Sequence, residues 1–67
     1  MKIDLLKVEM EKRKMNAATL ADKSGLARST ISRILSGQRG CTVAIAKQIS
    51  DALNLKPRTA MEIFFEE

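Results

Sequence analysis

Residues 16–37 read NAATLADKSGLARSTISRILSG, and the breakers in this stretch divide it into two short helices. Asn16 is a favoured N-cap, because its side-chain oxygen can accept from a free N–H of the first helical turn. Met15 before it and Leu20 after it have the N′ and N4 spacing of a hydrophobic staple, so a helix is expected to start at Ala17. It runs to Ser24, where Gly25 can take the left-handed conformation that ends a helix without a Cβ clash. Leu26 and Ile31 repeat the staple spacing around a second helix over residues 28–36, and Gly37 follows Ser36 as its C′ residue. Ala27 offers this helix no side-chain oxygen as an N-cap, which forgoes about 1 kcal/mol and lets its start fray.

Further helices are expected on both sides. Residues 2–14 lack Gly and Pro, and Ile3, Leu6 and Met10 fall at spacings of three and four, on one helical face. After the 16–37 stretch, Gln38 to Cys41 form a loop carrying Arg39 and Gly40, and Thr42 caps a helix with an apolar face of Val43, Ile45, Ala46, Ile49 and Leu53. Asn54 is its C′ stop, and Pro57, suited to a first helical position, starts a last helix reaching to about Phe65. The expected fold is all-α: five short helices forming a single domain over residues 1–67.

Composition bounds what such a chain can do. A protein of 67 residues buries only about 60% of its unfolded surface, so an enclosed substrate pocket would compete with the core for the same apolar side chains. There is no histidine, no Gly-rich phosphate loop, no metal-ligand cluster and no nucleophile elbow, so neither catalysis nor a cofactor or metal is expected. The single cysteine, Cys41, cannot form an internal disulfide. With neither a signal-peptide pattern nor an apolar run of about 18 residues, a cytoplasmic protein is expected.

The net charge of +4 is unevenly placed: Lys23 to Ser50 holds Lys23, Arg28, Arg33, Arg39 and Lys47 and no acid, while all eight acids lie outside it. A basic segment between near-neutral ones suits a polyanionic partner, because each phosphate neutralised releases condensed counterions. Charge alone fits a solvated basic face equally well.

The 17–36 stretch has further internal agreement. Two helices too short to be stable alone are joined by a tight glycine turn, with small Ala21 where they would cross and Leu20, Leu26, Ile31 and Ile34 expected inward. This is the anatomy of a helix-turn-helix. The stretch resembles the helix-turn-helix of the Cro and lambda-repressor-like family of phage and mobile-element regulators, and the resemblance extends to IAKQISDALNL at residues 45–55.

The resemblance implies that residues 28–36 are a recognition helix lying in the major groove of double-stranded DNA. Arg28, Ser29 and Arg33 match base-reading positions, with Ser32 beside them; arginine suits bidentate contact with guanine O6 and N7. Asn16 and Thr19 at the start of the preceding helix, together with Thr30, Ser36, Gln38 and Arg39, are the expected phosphate contacts. Three positions depart from the family pattern. Ala17 stands where many members have a glutamine that clamps a phosphate. Met10 and Leu35 stand where several have a buried Arg–Glu pair, so an apolar contact is expected instead. The loop before Thr42 differs in length and lacks a proline.

Phe64 and Phe65 point about 100° apart on a helix, so the small core can take one of them well. With Met61 one turn back, this region is expected to form a homodimer interface, setting half-sites about 34 Å apart or a multiple of it; the alternative folds both rings onto the first and fourth helices. Cys41 reads as a small N′ residue ahead of Thr42, with redox sensing as the sharper alternative. The function expected is a sequence-specific transcriptional regulator, a repressor by promoter occupancy. An antirepressor-like protein-interaction module and a DNA-binding antitoxin are the competing readings.

Overall fold

The computed structural model describes residues 1–38 and 40–65, and among them there are five helices and no strand. They are α1 (Ile3–Lys12), α2 (Ala17–Ser24), α3 (Arg28–Leu35), α4 (Val43–Leu53) and α5 (Pro57–Phe64). The radius of gyration, 10.4 Å, matches the roughly 11 Å of a close-packed chain of this length.

The helix starts and stops follow local chemistry. Asn16 Oδ1 accepts from the Thr19 amide at 2.8 Å, and Thr42 Oγ1 accepts from the Ile45 amide at 3.1 Å. The first helix is shorter than its apolar pattern, ending at Lys12 and not at residue 14, because Lys14 turns into the left-handed region at φ 55°. The Lys14 amide then donates to Glu11 O at 2.9 Å and the Met15 amide to Met10 O at 3.0 Å, the paired bonds of a Schellman motif. The same pair closes α3, with Gly37 donating to Ile34 O and Gln38 to Arg33 O, and α4, with Asn54 donating to Asp51 O and Leu55 to Ser50 O. Ser36 and Phe65 are therefore C-caps of α3 and α5, not their last helical residues.

Every helix contributes to one core. Leu6, Leu20, Ile31, Ile34, Ile49, Leu53 and Ile63 are essentially fully buried, joined by Met10, Ala21 and Ala46. Each large side chain removed from water in this way contributes about 1.5–3 kcal/mol. Met10 is buried and Leu35 packs, half-buried, on the same apolar cluster.

Two inward expectations need correcting. Val43 is 71% exposed, since a helical Cα–Cβ bond tilts toward the N-terminus and aims the first residue's side chain off the end of α4. Leu26 is half-buried, packed against the core from the turn and not within it.

The chain ends are tied to the bundle. The Lys2 amide donates to Ile63 O at 2.7 Å, giving α5 a partner for one of its last carbonyls, and the Cys41 thiol donates to the Met1 thioether at 3.5 Å.

Candidate nucleic-acid interface

The connection between α2 and α3 fixes how the two helices are presented. Gly25 sits at φ 76° with its amide on Ala21 O at 3.0 Å. A Cβ built there meets nothing within 4 Å, so glycine is needed for its backbone conformation and not for space. The buried Ser24 hydroxyl donates to Ala21 O at 3.3 Å and accepts from the Leu26 amide at 3.3 Å, carrying the hydrogen bonding past the glycine. Ala21 is buried at the junction, where a larger side chain would hold the helices apart.

On α3 the two faces differ sharply. Ile31 and Ile34 are buried, whereas Arg28, Ser29, Ser32 and Arg33 are exposed; their i, i+1, i+4, i+5 spacing puts the four on one side of the helix. Thr30 is half-buried at the edge of this face. Among the described residues neither arginine is paired with a carboxylate. Ala27 is extended with no side-chain cap, so the first-turn amides of α3 are left for an outside acceptor.

The expected phosphate positions are not equivalent. Asn16 Oδ1 also accepts from the Thr19 hydroxyl at 3.0 Å, so this oxygen is committed to the cap and the Asn16 amide NH₂ is the donor left to a ligand. The exposed Ser36 hydroxyl donates to Arg33 O at 3.0 Å. Gln38 is exposed, and Arg39 lies outside the described residues. An open groove of about 410 Å³ flanks the turn, lined by Ala18, Ala21, Asp22, Gly25, Leu26 and Arg28.

Elsewhere, Glu9 draws two cations to itself: Arg13 donates to its carboxylate at 2.9 Å and Lys12 at 3.2 Å. The Arg13 hydrogen bond, outweighing partial desolvation, holds the Glu9 carboxyl below its ordinary value of 4.5. Met61 and Phe65 are both more than half exposed and one turn apart, while Phe64 packs half-buried on the core, its ring edge-to-face with Phe65 at 6.5 Å. Among the described residues no three metal-ligating side chains converge, and no helix is long and apolar enough to cross a membrane.

A family model described as "Helix-turn-helix" matches residues 6–59. The chain belongs to the Cro/C1-type helix-turn-helix family. This helix-turn-helix protein is similar to a solved structure, the restriction-modification controller protein C.AhdI from Aeromonas hydrophila. The TM-score is 0.79 at 28% identity, over 87% of this chain and 88% of that chain. No curated protein matches it. The helix-turn-helix protein is thus a DNA-binding transcriptional regulator. The matched span contains every residue expected at the DNA and stops short of Met61, Phe64 and Phe65.

Sequence reasoning missed the Ser24 hydroxyl bridge and the left-handed Lys14. The first had a usable signal in a serine directly before a C′ glycine; nothing in the local sequence marks the second.

Proposed function

We propose that this regulator is a single domain over residues 1–67 that binds a specific operator in double-stranded DNA as a homodimer, in the cytoplasm. α3 lies in the major groove, where Arg28, Ser29, Ser32 and Arg33 read base edges. Asn16, Thr19, Thr30, Ser36, Gln38 and Arg39 hold the flanking phosphates, the first of these through its amide NH₂. The observation that carries the reading is the division of α3: two unneutralised arginines and two serines on its outer face, two isoleucines sealed beneath.

Two copies associate through Met61, Phe65 and the exposed part of Phe64, presenting two recognition helices about 34 Å apart or a multiple of it. The protein acts by occupying a promoter, as a repressor where the operator overlaps it. The likeness to a restriction-modification controller protein supports a regulatory role for a chain of this size.

Selection of binding sites from random duplex DNA, followed by titration of the winner at two salt concentrations, tests the proposal. An enriched inverted repeat with steep salt dependence is the expected result. No enrichment, with only weak salt-sensitive association, would replace it by a protein-interaction module whose surface is the outer face of α3.

A further inference from the structure

Four described residues have positive φ: Gly25, Gly37, Asn54 and Lys14. The first three are the residue types that tolerate the left-handed region; Lys14 is not, because its Cβ is brought too close to the following carbonyl oxygen. The turn at this position asks only for the Schellman bonds of Lys14 and Met15, which a glycine or asparagine would support as well. Nothing inside the molecule accounts for the lysine: it is exposed, and among the described residues its ammonium meets no carboxylate or carbonyl.

Its neighbours differ. Within the run Lys12-Arg13-Lys14, the first two are held by Glu9, so Lys14 is the cation of the three that no acid among the described residues neutralises. It stands two residues before Asn16, at the end of α2 that the proposed function sets against the DNA backbone. At that end Ala17 supplies no side-chain donor, and Asn16 Oδ1 and the Thr19 hydroxyl are bonded to one another.

We infer that Lys14 is a phosphate anchor for the DNA backbone, substituting a mobile point charge for the donor that Ala17 lacks. This inference rests on the proposed DNA reading and adds a contact outside the 16–39 set. Lysine serves here because it needs no fixed fork geometry, only reach, and its flexible stem leaves the turn. The position would then trade fold stability for affinity.

The test uses the full chain, the selected operator duplex and a random duplex of equal length, with Lys14→Gly, Lys14→Asn and Lys14→Arg. The Gly and Asn variants are expected to melt about 3–6 °C higher. They are also expected to bind both duplexes about three- to tenfold more weakly near 0.1 M salt, with a slope of log K against log salt shallower by about 1. Lys14→Arg should retain wild-type affinity and slope. A Lys14→Gly protein that is more stable yet binds with unchanged affinity and slope overturns the anchor role alone. A loss confined to one base pair of the operator overturns it in favour of base reading. Wild-type protein that binds neither duplex overturns the proposed function and this inference with it.

Discussion

The Ser24 hydroxyl accepts the Leu26 backbone N–H at 3.3 Å, across the glycine that joins α2 to α3. Ser24→Ala removes the acceptor and leaves a partly covered amide without its partner, a loss of about 1–2 kcal/mol. Urea unfolding should show the midpoint moving down with an unchanged m-value. A Ser24→Ala protein as stable as wild type would show that water replaces the hydroxyl at no cost.

Leu35 and Met10 join the same apolar cluster, from α3 and α1 respectively. Leu35→Glu places a carboxylate there with no arginine to meet it, and the expected destabilisation is about 1–3 kcal/mol. Chemical denaturation measures it directly, and unchanged stability would sink the claim that these residues replace an ion pair. Adding Met10→Arg to Leu35→Glu should recover part of the loss.

Arg33→Ala is expected to lower operator affinity by about 1–3 kcal/mol and to relax preference at one base pair, leaving random-DNA binding less affected. Arg39→Ala should weaken specific and random binding alike and make the salt dependence shallower. Titrations on operator, single-base variants and random duplex separate the two. Equal losses on all sequences for both variants would dissolve the distinction between reading and holding.

Phe65 is 54% exposed, so Phe65→Ala should leave monomer stability nearly unchanged while weakening self-association. Sedimentation equilibrium over a range of protein concentrations reads the difference. A Phe65→Ala protein that remains dimeric removes this residue from the interface.

Glu9 is more acidic folded than unfolded because Arg13 and Lys12 favour its carboxylate. Its contribution to stability is therefore fully present above the unfolded value near 4.5 and is lost as pH falls through the lower folded value. Glu9→Gln should flatten that part of the acid limb by lowering stability modestly at neutral pH, where the wild-type contribution is fully present, while leaving it little changed at low pH. A wild-type acid limb identical to that of Glu9→Gln would count against the coupling.

The elements legible in the sequence were those whose cause is local. Asn16, Gly25, Gly37, Thr42 and Asn54 act on amides and carbonyls within a few residues of themselves, and each stands at the helix end its chemistry indicates. The buried face of α3 was equally legible, since Ile31 and Ile34 follow the helical period. Val43 was misread because period says which stripe a residue occupies and not whether a neighbour covers that end of the stripe. The Lys2 to Ile63 hydrogen bond joins positions at opposite ends of the chain, and no local pattern could announce it. The pairing of Lys12 and Arg13 with Glu9 was open to a reading of i+3 and i+4 charge spacing, yet the isolation of Lys14 depends on what the whole fold brings near it.

On α3, six of the eight positions divide cleanly, with Ile31 and Ile34 sealed in the core and Arg28, Ser29, Ser32 and Arg33 turned to solvent. Ile31 and Ile34 can stay fixed while Arg28, Ser29, Ser32 and Arg33 vary, so mutation could explore new target sequences without first passing through unfolded intermediates. On the proposed reading, these four exposed sites could be randomised for new operators at little risk to the fold.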